Sequence, residues 1–323
     1  HGLIDLREAI AEYMSCRFGL TYTPGQIMVT VGASEAIDLA LRAIINPGDE
    51  VLVPEPSYVS YMPTVVMAGG VPVPIPMSAQ DEFKLTVDSI KPLLNARTKA
   101  IIVAFPNNPT GAIMNERELA PIAELLADRD IIAVSDEIYA ELTYQGKHAS
   151  IAAFDGMAER TIVINGFSKA FAMTGWRVGY ACAPTELLDI MIKIHQYTML
   201  CAPIMGQEAA LEALRFGLEN NFADVERMRR EYNRRRRVIV DGFRAMGLSC
   251  FEPLGAFYVF PSLESTGLTA DQFCEGLLMS KEVACVPSTA FGRSDKFMRC
   301  SYATSLDNIN EALKRIREYV QEL

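Results

Sequence analysis

The chain has 323 residues, half of them hydrophobic and 22% charged, with a formal net charge of −10. That length exceeds what one hydrophobic core usually serves, so two domains are expected. The acidic balance disfavours nucleic acid as a partner, no apolar run reaches the ~18 residues that span a bilayer, and the start lacks the layout of a secretion signal, so a cytoplasmic location is expected.

Leu3 to Tyr13 carries apolar residues at helical spacing. Ile27 to Val31 reads as a short strand by its β-branched content. Glu35 to Ile45 reads as a helix with Ile37, Leu41, Ile44 and Ile45 on one face, stopped by Asn46-Pro47-Gly48-Asp49. Between them lies the small-residue turn Gly32-Ala33-Ser34. A turn opening a helix offers free backbone N–H groups and the positive end of the helix dipole, which suits an anion; an ordinary capped helix reads the same way. Glu50 to Pro54 is the next strand, and Tyr58 beyond it is an aromatic of the kind that usually packs in a core. The prolines of Gly69 to Pro76 place that extended stretch at a sheet edge.

Lys99 to Phe105 is a nearly continuous apolar strand of the parallel-sheet kind. It runs into Pro106-Asn107-Asn108-Pro109-Thr110-Gly111, whose composition alone says only loop. Asp130 to Tyr139 is another buried strand with Asp136 at its carboxyl end, the edge of an open parallel sheet where ligands sit; an aspartate capping a helix is the alternative. Thr161 to Ile164 gives way to Asn165-Gly166-Phe167-Ser168-Lys169, and Arg177 follows within Met173 to Tyr180. A lysine amine that has lost part of its hydration is a good nucleophile toward an aldehyde, and a nearby arginine can hold a phosphate. A surface lysine and an ordinary ion pair would account for either residue alone.

His195 reads as a packed, structural residue. Gln207 to Arg244 reads as one or two long helices linking a larger unit to a smaller one, and the basic run Arg227 to Arg237, interleaved with Glu226 and Glu231, as a solvated helix face. Short strands at 255–260 and 283–287, with helical patterns between them and at 308–323, make an α+β mixture. Arg299, within Phe297 to Thr304, could bridge to an acidic neighbour or grip a carboxylate through its planar fork of N–H groups. Seven scattered cysteines with no Cys-x-x-Cys argue against a disulfide framework, and three dispersed histidines against a zinc site.

Taken in order and offset, Asn108-Pro109-Thr110-Gly111, Asp136 with Tyr139, Ser168-Lys169 and Met173-Thr174-Gly175-Trp176-Arg177-Val178-Gly179-Tyr180 resemble the motifs of class I/II aminotransferases of pyridoxal-phosphate fold type I. The aspartate/aromatic branch is the most similar, and the resemblance covers almost the whole chain. It implies an α/β fold with a large domain at 1–215, built on a mostly parallel seven-stranded sheet between helices, and a smaller α+β domain at 216–323. It implies pyridoxal 5'-phosphate carried on Lys169 as a Schiff base, with the phosphate held by Gly32, Ala33, Ser34, Ser168 and Arg177. Tyr58 would stack on the ring, Asp136 would face its nitrogen, and Asn108 and Tyr139 would bond its phenolic oxygen. Lys169 would be general base and acid, with Asp136 and Tyr139 completing the catalytic group. Asn108 and Arg299 would bind the substrate α-carboxylate. A cis Asn108–Pro109 bond is also implied, which proline permits at ~1 kcal/mol.

The reaction implied moves an amino group from an L-amino acid (aromatic, aspartate or broad range) to a 2-oxo acid such as 2-oxoglutarate in a ping-pong cycle. The same lysine and aspartate would serve a C–S lyase acting by β-elimination, and a non-catalytic aminotransferase-like domain of a regulator is a further alternative. The resemblance also implies a homodimer with shared active sites, no metal, and an N-terminal arm and first helix that this sequence lacks.

Overall fold

The computed structural model describes residues 1–323, in which seven strands form one sheet and three form a second. The larger sheet holds β1 (Ile27–Thr30), β2 (Glu50–Glu55), β3 (Val71–Pro76), β4 (Thr98–Ala104), β5 (Ile132–Asp136), β6 (Thr161–Gly166) and β7 (Gly179–Cys182). Their spatial order is β1-β7-β6-β5-β4-β2-β3. Only β7 runs against its neighbours, β6 and β1; the remaining pairings are parallel. Parallel strands are covered on both faces, which is why β4 to β6 read as unbroken apolar runs. The proline-bearing β3 lies at the edge, where a missing N–H costs no ladder bond. β7 is a four-residue strand that begins on a glycine and was not expected from its own residues.

The first half of the chain supplies helices α1 (Ile4–Phe18), α2 (Ala33–Ile44), α3 (Tyr61–Met67), α4 (Val87–Ile90) and α5 (Glu116–Ala127). The second half supplies α6 (Thr185–Thr198), α7 (Ile204–Glu219), α8 (Ala223–Ala245), α9 (Ala270–Lys281) and α10 (Leu306–Glu322). Alternation along the strands sends Val51, Val53, Ile102, Val134 and Ile164 to a core with Ile37 and Leu41 of α2 and Leu188 and Met191 of α6. Leu52, Ile101, Val103 and Ala133 face the other way, onto Leu119, Ile122 and Leu126 of α5. At the β1–β7 end, Ile27, Val29 and Tyr180 pack on Leu6 and Ile10 of α1 and Leu211 and Leu214 of α7.

The second sheet is antiparallel, in the order β8 (Tyr258–Val259), β10 (Met298–Ser301), β9 (Val286–Pro287). Only two residues of each stretch expected at 255–260 and 283–287 are strand. Ile239, Val240 and Phe243 of α8, Phe273 and Leu277 of α9, and Leu313 and Ile316 of α10 cover this sheet. Helix α7 runs unbroken across residue 215, and the side chains change from the first core to the second along α8, between Val225 and Ile239. The basic run on α8 is mainly a paired, solvated face, with Arg227 on Asp224, Arg229 on Glu226, and Arg234 and Arg235 on Glu231. Arg236 departs from that reading: it is 6% exposed, bonded to Asn233 and Glu252, with its guanidinium 5.7 Å from the centre of the Tyr144 ring.

Candidate active site

The carboxyl ends of β4, β5 and β6 open onto one cavity of about 390 Å³, the side of an open sheet on which ligands sit. Ala33, Ser34, Tyr58, Asn108, Asp136 and Tyr139 line it, together with Ser168, Lys169, Arg177 and Arg299. Gly32 forms the turn behind Ala33. The cavity thus gathers residues from one end of the chain to the other.

The turn at Gly32 is shaped from two sides. Gly32 has φ 77° and ψ 166°, a conformation almost closed to other residues, and a Cβ there would stand 2.5 Å from Arg177 Nη2. Gly179 passes so close beneath that a Cβ on it would collide with the backbone of Gly32 and Ala33. Glu35 ties the turn down: one carboxylate oxygen accepts from the Val31 N–H at 2.5 Å, the other meets His195 Nδ1 at 2.7 Å. His195 is therefore structural, as its sequence context suggested. Arg177 itself adopts the left-handed conformation (φ 54°, ψ 52°), and its Nη1 donates to the Thr174 carbonyl at 3.0 Å. Guanidinium, turn N–H groups and the start of α2 all present positive charge to one place, which suits a phosphate.

Lys169 stands three residues past Gly166, the end of β6, and its amine lies 5.5 Å from the Phe257 ring centre and 5.7 Å from that of Tyr139. Burial and then the positive charge of Arg177 lower its pKa, with Asp136 opposing. The amine therefore releases its proton more readily than an ordinary lysine. Asp136 ends β5, buried but bordering the cavity. Its Oδ2 accepts from the Tyr61 hydroxyl at 2.7 Å and its Oδ1 from the Ile138 N–H at 3.2 Å. Burial pushes its pKa up and those two hydrogen bonds pull it back, so a cationic group brought into the cavity would find a carboxylate already oriented. The Tyr139 hydroxyl meets that of Tyr258 at 3.0 Å, and Tyr58 stands edge-on to Tyr61 with ring centres 5.6 Å apart.

On the opposite wall Arg299 Nη1 donates to Asn108 Oδ1 at 3.0 Å. Its guanidinium lies between two aromatic faces, 4.6 Å from the Tyr258 ring centre and 4.7 Å from that of Phe291. No acidic side chain pairs with it, so the bridging alternative does not hold and its remaining donors are free for a carboxylate. The Asn108–Pro109 bond is cis. Beside it the Asn107 Nδ2 is buried without a partner, while its Oδ1 accepts from Thr110.

Sequence reasoning missed Tyr61, Tyr258 and Phe291. Tyr61 lies one helical step from Tyr58, a signal that could have been read; nothing near Tyr258 or Phe291 marks them. The residues present fit pyridoxal phosphate on this structure's own terms. They offer an amine of lowered pKa, a buried carboxylate across the cavity, and a glycine turn whose space a Cβ would fill.

The family model described as "Aminotransferase class I and II" matches residues 1–316. An aspartate aminotransferase of Pyrococcus abyssi is 44% identical over 99% of this chain and 83% of its own length. An aromatic-amino-acid aminotransferase of Thermococcus litoralis is 41% identical, again over 99% of this chain and 83% of its own. The crystal structure of an aromatic aminotransferase from Pyrococcus horikoshii superimposes with a TM-score of 0.96 at 43% identity, covering 99% of this chain and 86% of that one. None of these three is named as a lyase or a regulator, and that side of the sequence reading is not favoured. The chain belongs to the class I and II aminotransferases, has fold type I and uses pyridoxal 5'-phosphate.

Proposed function

We propose that this aminotransferase takes aspartate and aromatic L-amino acids as donors and a 2-oxo acid such as 2-oxoglutarate as acceptor, with the eleven residues named from the sequence forming its site. The observation that carries this reading is that Lys169, Asp136, the Gly32–Arg177 turn and the Asn108–Arg299 pair face one cavity. When bound, pyridoxal phosphate supplies an aldehyde that holds the amino nitrogen and a ring that accepts the electron pair left by the departing Cα proton.

The chain's own groups do the rest. Arg177, Ser34, Ser168 and the N–H groups of the turn hold the phosphate; Asp136 keeps the ring nitrogen charged; Tyr58 packs on the ring, and Asn108 and Tyr139 bond its phenolic oxygen. Arg299 and Asn108 grip the α-carboxylate, so that the Cα proton is presented to Lys169. Lys169 takes that proton, and its lowered pKa keeps part of the amine in the free, accepting form. Tyr139, Tyr258 and Tyr58 give the walls an aromatic character that suits aromatic side chains.

The working unit we propose is a cytoplasmic homodimer. Tyr197 is 91% exposed at the end of α6, Leu200 73% in the connection to α7, and Met205 72% at the start of α7. The start of α7 lies against the turn before Arg177: a Cβ on Gly206 would stand 2.9 Å from the Trp176 carbonyl oxygen. A second copy of the chain covering this apolar patch would therefore border the cavity. No helix is long and apolar enough to cross a membrane.

The test is a panel of amino donors with 2-oxoglutarate and added pyridoxal phosphate. Glutamate should form with aspartate, phenylalanine or tyrosine. Turnover confined to other donors, or steady ammonia release without an acceptor, would overturn the reading.

A further inference from the structure

Behind Arg299 the second sheet brings two thiols together. Arg299 pairs with Val286, and the next residues along, Cys300 and Cys285, place their sulfurs 3.3 Å apart. The two cysteines share the wall of a separate cavity of about 80 Å³, closed by Phe243 of α8 and Leu313 and Ile316 of α10. Cys285 is partly exposed and Cys300 is buried, and both are free thiols.

We propose that Cys285 and Cys300 form a reversible disulfide in response to hydrogen peroxide, and that closing it weakens the hold of Arg299 on the substrate carboxylate. The second clause rests on the role proposed for Arg299 above. Residues facing each other across antiparallel strands have Cα atoms about 4.5–5.5 Å apart, within the range a disulfide spans. Closure then asks mainly that the sulfurs move from 3.3 Å to the ~2.05 Å of a bond.

The chemistry balances with peroxide as the sole oxidant. The Cys285 sulfur attacks one peroxide oxygen and breaks the O–O bond; the departing oxygen takes the thiol's proton, leaving a sulfenic acid on Cys285 and one water. The Cys300 sulfur then attacks the Cys285 sulfur, forming the S–S bond and expelling the sulfenic oxygen as a second water. Two thiols are oxidised and one peroxide is reduced. Contact with Cys285 and burial push the Cys300 thiol well up, so it keeps its proton longer and serves as the second, resolving group. Because Cys300 adjoins Arg299 on β10, drawing its sulfur toward β9 moves the strand that sets the 3.0 Å contact between Arg299 and Asn108.

The experiment treats the holoenzyme with hydrogen peroxide and maps the cysteines by mass spectrometry before and after dithiothreitol. The expected result is a mass lower by two hydrogens, a linked Cys285–Cys300 peptide, and an unchanged cofactor absorption band. KM for the amino donor should rise about tenfold, the worth of one charge-assisted hydrogen bond, and fall back on reduction. Cys285→Ser, at the more exposed position, should resist both changes. Free, alkylatable Cys285 and Cys300 after peroxide, or linkage to Cys274 or Cys250 instead, would overturn the site. Linkage with KM unmoved would overturn its coupling to Arg299. If Arg299→Lys leaves KM untouched, the carboxylate role fails, whereas the mapped disulfide stands.

Discussion

The Tyr61 hydroxyl donates a 2.7 Å hydrogen bond to Asp136 Oδ2, joining the first turn of α3 to the carboxyl end of β5. With the Ile138 N–H on the other oxygen, both acceptor atoms of this buried carboxylate are fixed. Tyr61→Phe removes one of the two donors and leaves the ring volume in place. Burial, the leading cause of the raised Asp136 pKa, is then less opposed, so that pKa should climb further. The expected readout is an acid limb of the pH–rate profile displaced to higher pH, with kcat lowered about tenfold or more at neutral pH.

Asp136→Asn separates rate from stability. The folded-state pKa lies above the ordinary value, so the ionised carboxylate costs the cofactor-free protein stability once pH exceeds that raised pKa, and the cost vanishes below the unfolded value. An amide carries no such charge, and the Tyr61 hydroxyl can turn to accept from it. Turnover should fall by at least ~10²-fold, while the melting temperature of the cofactor-free variant at neutral pH matches or exceeds that of the parent. Parallel losses of rate and melting temperature would contradict the assignment.

Lys169→Ala should abolish transamination, by at least ~10³-fold, because nucleophile and proton carrier are lost together. Its side chain is only part-buried, so circular dichroism and thermal melting should stay close to the parent's. The covalently held visible absorption and its trapping by borohydride should both disappear.

Arg177→Gln tests the electrostatics of that amine. Arg177 is the second cause, after burial, of the lowered Lys169 pKa. Removing a positive neighbour makes the ammonium form easier to keep, so the pKa should rise toward the ordinary ~10.4. In the cofactor-free protein, labelling of Lys169 by an amine-selective reagent should therefore require a higher pH. Affinity for pyridoxal phosphate should drop as well, while pyridoxal, lacking the phosphate, should be far less affected.

Gly32→Ala tests the turn. The backbone conformation alone should cost ~1–3 kcal/mol, and the new methyl group would displace the Arg177 guanidinium. A lower melting temperature with faster loss of cofactor on dialysis is the expected result.

What the sequence disclosed follows the distance over which each contact is made. Asp136, Lys169 and the Gly32 turn were legible because strand ends and short loops are local events, written in runs such as Ile131 to Val134 followed by polar residues. The partners of those residues were not. Tyr61 reaches Asp136 across 75 positions and Tyr258 meets Tyr139 across 119, and no local pattern encodes such meetings. Arg236 was read as solvated because its neighbours on α8 are, although the helix turns that one guanidinium inward onto Glu252. β7 escaped notice because its identity comes from pairing with β1 and β6 on either side, not from its own four residues.

The reversal of β7 has a further consequence. Since β6 and β7 are antiparallel neighbours, Lys169 and Arg177 belong to a single loop that leaves the sheet and re-enters it beside itself, with Gly166 facing Gly179 at its base. Arg299 stands on the other sheet. The groups proposed to retain the cofactor are thus leashed to each other by a few residues of chain, and the group proposed to grip the substrate's α-carboxylate is mounted independently on the other sheet, so a shift between the two sheets would move the substrate's hold without loosening the cofactor's.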